Sequence, residues 1–461
     1  MSEYTIRKYR QSLILGLIGV VKKLFPDEQL KIAYSILDGL YCELEDSLIS
    51  SREAQRIQDH LRDWVLADQA ITYENRKDNL YDCHIDNYEI ITIYPPLSRT
   101  GSLKYFEVIH FPPGFILLFP NANQAETISP FIPPEKLSST FSETQRWLEN
   151  LHLSNVQDVN SIIATKCSQD LICLAEALHE KKISSIADRI FEQRNVRVIL
   201  ISGPSSSGKT TFAQRLSTQL RVNGLRPVAL SLDNYFLSRE ETPRDASGQY
   251  DFEALEALDL PLLDAHLNAL IKGAEIETPL FDFVSGRRFP TGKLMHMSSD
   301  EILVIEGIHA LNPRLAPSLD RNQTFKIYVS ALFQLNIDAY TRVSTTHVRL
   351  IRRLVRDDKF RGIDPERTLA QWESVRRGEN SNIFPYQEEA TVMFNSSLLY
   401  ELNALRPNAE HLLNSITPES PHYKTAVHLL TLLSFFDPLD ISTVPFNSIL
   451  REFMGGSTYH Q

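Results

Sequence analysis

Apolar residues recur at helical spacing over residues 12–25, and a more polar stretch at 52–68 carries the same period, so both are expected to be helices. Residues 32–44 alternate in the manner of strands, and strand-like runs follow at 88–93 and 103–110. This mixture predicts a small α+β domain over residues 1–135, which ends in a stretch punctuated by Pro120, Pro130, Pro133 and Pro134. A helical connector is expected over 136–194. From residue 195 the pattern changes: brief β-branched runs at 196–202, 228–232, 302–306 and 325–329 are separated by helix-like sequence. Such runs are strands of a parallel sheet buried on both faces, so residues 195–413 are expected to form an α/β domain with helices on both sides of the sheet. A C-terminal extension, 414–461, contains an apolar helix at 423–436.

The length of 461 residues allows about three such units. With 43% hydrophobic residues, 17 Gly and 24 Pro, the chain falls outside the collagenous and disordered classes. Lys plus Arg number 47 against 58 Asp plus Glu, a net charge of −11, which argues against coating nucleic acid by bulk attraction. Any polyanion site must be a local basic patch. The four cysteines, Cys42, Cys83, Cys167 and Cys173, form no CxxC pair and suit a reducing compartment, so a cytoplasmic protein is expected. Arg7, Lys8 and Arg10 precede an apolar run at 13–21 that imitates a signal peptide. No small-residue cleavage site follows, Lys22 and Lys23 end the run, and it is shorter than the roughly 18 residues that span a bilayer. A buried N-terminal helix and no membrane segment are therefore expected.

The strongest chemical signal is Gly203-Pro204-Ser205-Ser206-Ser207-Gly208-Lys209-Thr210-Thr211, which matches GxxxxGK[ST] between an expected strand and an expected helix. Glycines let successive backbone N–H groups converge on an anion at a helix N-terminus, Lys209 reaches the terminal phosphates, and the Thr210 hydroxyl can ligate Mg²⁺. Asp233 follows the second strand at the edge where such sheets hold phosphates; it is either a base for an attacking hydroxyl or the start of an Asx-turn. Glu306 ends the third strand and is either an outer partner of Mg²⁺, through water, or a solvated strand end. Arg349, Arg352, Arg353 and Arg356 share one helical face, with Arg361 just beyond. That face is a solvated charged surface relieved by Asp357 and Asp358, a lid over triphosphate, or an RNA-binding stripe, although the last lacks interleaved aromatics. Adjacent Cys83 and His84 lack the second spaced pair of a zinc site, and Trp372 and Phe384 are expected in the core.

Taken in order, the segments GPSSSGKTT at 203, SLDNYFLSREETPRD at 231, YDFEALEALDL at 250, PLFDFVSGRR at 279, ILVIEGIHALNP at 302 and HVRLIRRLVRDDKFRG at 347 resemble the uridine kinase and phosphoribulokinase family. The run QWESVRRGENSNIFPYQEEATVMFNSSLLYEL at 371 resembles a bacterial branch in which this phosphate-loop kinase core follows a domain similar to the editing part of threonyl-tRNA synthetase. The resemblance implies that Asp233 is the general base, that Asp251 holds ribose hydroxyls, and that Arg353, Arg356 and Arg361 touch phosphates, with Gln371 also near the site. Two departures concern the base. Where well-studied members have Tyr and, five residues later, a His that reads the pyrimidine, this chain has Phe281 and Gly286. His347-Val348 stand where the family usually has Asp-Thr. The editing domain binds zinc through a HxxxH pair and a later Cys and His; residues 9–25 contain no histidine, and the small module that often precedes that domain is expected to be absent.

The expectation is an ATP- and Mg²⁺-dependent kinase of the 5′-hydroxyl of a nucleoside, with nucleoside and ATP as partners, no membrane, no nucleic acid, and room for a homo-oligomer. Lys209 and Asp233 carry the chemistry. A kinase of another small hydroxyl substrate, such as a sugar phosphate, and a nucleotide-binding regulatory or RNA-binding protein are the alternatives. Because the N-terminal helix lacks paired histidines, purified protein is expected to hold no stoichiometric zinc by elemental analysis, and one tightly bound zinc per chain would overturn the metal-free reading.

Overall fold

The computed structural model describes residues 3–459 except 46, 86, 87, 122–125, 166, 167, 246, 247, 290 and 291. Cys167 therefore lies outside the described residues, and Cys42, Cys83 and Cys173 are free thiols. Two compact units divide the chain, and neither is continuous. The first comprises Met1–Ser161, Gln334–Ser344 and Lys424–Asp437; the second comprises Ile162–Phe333, Thr345–Tyr423 and Pro438–Gln461.

In the first unit, helix Glu3–Leu24 buries Leu13, Leu17, Ile18 and Val21, so the run that imitates a signal peptide packs into a core. Helix Ser51–Leu66 starts with a capping box in which the Ser50 hydroxyl accepts the Glu53 N–H and the Glu53 carboxylate accepts the Ser50 N–H. A four-stranded antiparallel sheet runs in the order Leu30–Ile36, Gly39–Leu44, Gly114–Leu118, Glu107–Phe111. Thr72–Asn75, Tyr81–Ile85 and Tyr88–Thr92 form a second antiparallel sheet. Cys83 and His84 are neighbours on a strand and leave it on opposite faces, Cys83 into the core and His84 to solvent. The C-terminal helix Tyr423–Leu433 supplies His428, which stacks on Tyr94 at 4.2 Å. Burial, and then Arg7, push His428 down to about 3. The neutral ring accepts the Tyr94 hydroxyl at 2.5 Å, and that hydroxyl accepts Arg7 Nη1 at 2.7 Å. Asn160 donates to the Phe435 carbonyl at 2.8 Å. These bonds place Lys424–Asp437 in the first unit, an interleaving that consecutive segments do not describe.

The expected connector is three helices, Glu135–Asn150, Val156–Ala164 and Ser168–Glu192. The second unit is built on a five-stranded parallel sheet in the order Val392–Asn395, Thr324–Ser330, Val198–Ser202, Glu301–Glu306, Arg226–Ser231. All five residues of Val198–Ser202 are buried, which in a strand means that both faces are covered. Four of these strands match the expected runs. The fifth, Val392–Asn395, is only four residues long and carries too little periodicity to be read.

Helix Thr345–Arg361 packs beside this sheet with Arg352 fully buried. Its guanidinium donates to the carbonyls of Ser206 at 3.4 Å and Ser396 at 2.9 Å and is paired with Glu401, itself fully buried. Breaking a buried ion pair strands a charge. Arg352→Met is therefore expected to cost about 3–5 kcal/mol in chemical denaturation, and the double change Arg352→Met with Glu401→Leu distinctly less. A double variant as unstable as the single one would show that the loss comes from elsewhere.

Candidate functional site

The loop Gly203–Thr211 joins strand Val198–Ser202 to helix Lys209–Val222 at the carboxyl edge of the sheet. Gly203 is required sterically: a Cβ there would lie 2.0 Å from the Val329 carbonyl oxygen. Ser206 at φ 58° and Gly208 at φ 84° take left-handed conformations, and such residues turn backbone N–H groups inward as a nest for an anion. The buried hydroxyl oxygens of Ser206 and Ser207 have no hydrogen-bond partner among the described residues. Unsatisfied buried donors at a nest and a helix N-terminus fit a polyphosphate.

Lys209 is nearly buried, and its Nζ donates to the Pro204 carbonyl at 3.1 Å. Burial lowers its pKa, while Glu306, Asp233 and Glu452 act electrostatically in the opposite direction. Asp233 lies in the single turn Leu232–Tyr235 after strand Arg226–Ser231, and its N–H donates to the Ser231 hydroxyl at 3.3 Å. No described residue donates to its carboxylate. Glu306 accepts the Ser231 hydroxyl at 2.8 Å. Burial, then the neighbouring Asp233, push Glu306 up to about 7. Thr210 and Glu306 line one cleft, with Asp233 acting electrostatically on Glu306, and a hydroxyl and carboxylates are the hard oxygen donors that suit Mg²⁺. A cleft of about 1020 Å³ reaches the site at Thr210, Ser231, Asn234 and Glu306.

The arginine face is not a solvated surface. Arg349 is 1% exposed and Arg352 0%, and both support the loop from beneath. Arg349 Nε donates to the Ser205 carbonyl at 2.9 Å and its Nη2 pairs with the buried Glu379, which also accepts the Ser205 N–H at 3.0 Å. Arg353, Arg356 and Arg361 instead converge on buried Asp357 at 3.1, 2.9 and 3.5 Å. Burial works to raise the Asp357 carboxyl, but Arg356, Arg353 and Arg361 together hold it below its ordinary value. Arg353 Nη1 also donates to the Ser205 hydroxyl at 3.1 Å, which puts this cluster against the loop. Burial, and then Arg356, push Arg361 down to about 9, with Asp357 and the more distant Asp233 opposing.

The remaining expected residues are spread around this centre. Asp251 sits in a loop where its Oδ1 accepts the Glu253 N–H at 3.2 Å. Phe281, on strand Leu280–Asp282, packs in an aromatic row with Phe236 at 5.7 Å and Phe283 at 5.1 Å, and the Arg361 guanidinium lies 4.4 Å over Phe283. Gly286 has φ 67°, and a Cβ there would come within 2.8 Å of the Arg239 guanidinium, so arginine fills the space beside this glycine. Gln371 is half-buried on helix Pro365–Asn382, with no hydrogen bond to the phosphate loop among the described residues. Trp372 is a core residue under the Arg349 guanidinium. Sequence reasoning missed Glu379, Glu401 and Glu452. The one available signal was an acidic residue inside a mainly apolar stretch, as in SLLYEL around Glu401.

Residues 198–399 match the Phosphoribulokinase / Uridine kinase family. A uridine kinase of Deinococcus deserti is 32% identical over 197 residues, which are 42% of this chain and 86% of that protein. A uridine kinase of Lactobacillus helveticus is 29% identical over 198 residues, 42% of this chain and 84% of that one. A protein of Arabidopsis thaliana named inorganic pyrophosphatase is 31% identical over 191 residues, 40% of this chain but 24% of its own length. The phosphate loop, the strand-end carboxylates and the arginine helix all fall inside the matched stretch, and through it this chain belongs to the phosphoribulokinase and uridine kinase family.

Proposed function

We propose that this small-molecule kinase transfers the γ-phosphoryl group of ATP to the 5′-hydroxyl of a nucleoside, a pyrimidine nucleoside in the first instance. The observation that carries the reading is the phosphate loop itself, with left-handed Ser206 and Gly208, unsatisfied Ser206 and Ser207 hydroxyls and buried Lys209, next to the strand ends that carry Asp233 and Glu306. In this reading Asp233 accepts the proton of the attacking hydroxyl, and Lys209 with Arg353, Arg356 and Arg361 stabilises the transferred group. The loop from Gly203 to Thr211 holds the phosphates. Thr210 and Glu306 would hold Mg²⁺, which when bound neutralises charge on the phosphate oxygens. Asp251, Phe281 and Gln371 are assigned to the acceptor. For the base, the Phe281 row offers an apolar wall and Arg239 a guanidinium beside Gly286, in place of a tyrosine hydroxyl and an imidazole. A sugar phosphate is the second reading, favoured by three guanidinium groups sharing the single carboxylate of Asp357. The N-terminal stretch is read as similar to the synthetase editing domain, and the lack of histidine in helix Glu3–Leu24 is why no editing chemistry is assigned to it.

The deciding experiment is a screen of nucleosides and phosphosugars with ATP, detecting ADP and the product mass. A phosphorylated nucleoside is expected, with loose discrimination among uridine, cytidine and thymidine. Exclusion of thymidine by more than about 10⁴ in kcat/KM would mean that other residues read the base, and turnover of phosphosugars alone would replace the nucleoside reading. Asp233→Asn keeps the shape and removes the base, so kcat is expected to fall by about 10² to 10⁴; a rise in KM alone would make Asp233 a positioning residue. Glu306 gives a stability test. Its folded pKa is raised from the unfolded value of about 4.3, so its contribution is present below about pH 4 and is lost as pH rises through about 7. Glu306→Gln should therefore gain melting temperature over the wild type between about pH 5 and about pH 8, and a pH-independent difference would refute the raised pKa.

A further inference from the structure

Beyond the matched stretch, the C-terminal segment Pro438–Gln461 belongs to the same unit as the phosphate loop. Arg451–Met454 form one helical turn in which Glu452 is 7% exposed, and its Oε2 accepts the Thr211 N–H at 3.1 Å. Thr211 is the third residue of helix Lys209–Val222. First-turn N–H groups have no partner inside their helix, and after a phosphate loop they are the groups offered to a nucleotide's α- and β-phosphates. A carboxylate oxygen and a phosphate oxygen cannot both take that hydrogen, and two anions repel strongly where water is scarce.

The surrounding contacts fix the backbone of this segment. Arg451 donates to the carbonyls of Ile441 at 2.9 Å and Gly455 at 3.3 Å and to that of Val444. Ile449, Leu450 and Phe453 are fully buried. Ile449 lies so close to the loop that a Cβ on Gly208 would be 2.6 Å from its Cγ2. Arg352, which supports the loop, lies 5.0 Å over the Phe453 ring. A phosphate arriving at Thr211 therefore displaces the Glu452 side chain, while the turn that carries it stays in place. Glu452 also acts electrostatically on Lys209 and Glu306, as expected of a group inside the phosphate site.

We propose that Glu452 is a donor-site residue that works as a built-in competitor: its carboxylate holds the Thr211 N–H in the resting enzyme, and a phosphate of the bound nucleotide must displace it. The proposal rests on the nucleotide-binding reading of the loop. It makes donor affinity a property of the C-terminal segment as well as of the loop, with bound nucleotide paid for by the loss of one charge-assisted hydrogen bond.

The test is isothermal titration of ADP with Mg²⁺ into wild type, Glu452→Ala and Glu452→Gln, with the melting temperature of each. Glu452→Ala frees the N–H and is expected to bind ADP about tenfold tighter or more. Glu452→Gln keeps an acceptor without the charge and is expected to fall between. Equal or weaker ADP binding in the alanine variant at unchanged melting temperature overturns the competitor and leaves the nucleotide reading standing. Should the alanine variant melt early, the glutamine variant decides: tighter binding supports the proposal and equal binding overturns it. No ADP binding by any of the three overturns both.

Discussion

Two buried guanidinium groups beneath the phosphate loop are the constraint on which the rest of the second unit depends. A loop that turns its N–H groups inward toward an anion points carbonyl oxygens the other way, into the protein, where each needs a donor. Arg349 meets the Ser205 carbonyl, Arg352 meets that of Ser206, and the Ser396 hydroxyl meets that of Ser207. A buried guanidinium charge needs a buried partner, and two of them require two buried carboxylates. Glu379 and Glu401 supply these from helices Pro365–Asn382 and Glu401–Leu413. One nine-residue loop thereby fixes the positions of three helices.

On the working side of the loop the charges are arranged differently. Arg353, Arg356 and Arg361 share Asp357, which leaves a cationic surplus beside the loop, while Asp233, Glu306 and Glu452 act electrostatically on Lys209. Charges of both signs held in a water-poor site suit a reaction in which negative charge is passed between two oxygens, because donors and acceptors are in place before the reactants arrive. They also explain why Glu306 resists ionising: burial and then the neighbouring Asp233 raise the cost of its charge, while Lys209 and the Ser231 hydroxyl relieve part of it.

The stretch shared with the family does not contain the whole of this site. The match of this chain to the family ends at residue 399, yet Ile449 packs on Gly208 and Glu452 bonds to Thr211 from a turn some fifty residues later. The first unit is likewise completed from a distance, by His428 stacked on Tyr94. Both units therefore borrow their last element from the C-terminal part of the chain.

What the amino-acid sequence determined by itself was local. The period of apolar positions placed a helix over residues 12–25, which the fold extends back to Glu3, and four of the five parallel strands, because those periods are set by backbone geometry within a single element. The phosphate loop was legible for the same reason: its glycines, lysine and threonine act on one ligand from one continuous turn. The arginine helix shows where that ends. Spacing put Arg349, Arg352, Arg353 and Arg356 on one face but could not say whether the face met water, a ligand or the core, since burial depends on partners that are remote in sequence. The fold divided them, two under the loop with Glu379 and Glu401 and two around Asp357. Glu452 was invisible for that reason too, because a lone acidic residue in a short C-terminal turn acquires its meaning only when the chain returns to place it against the Thr211 N–H.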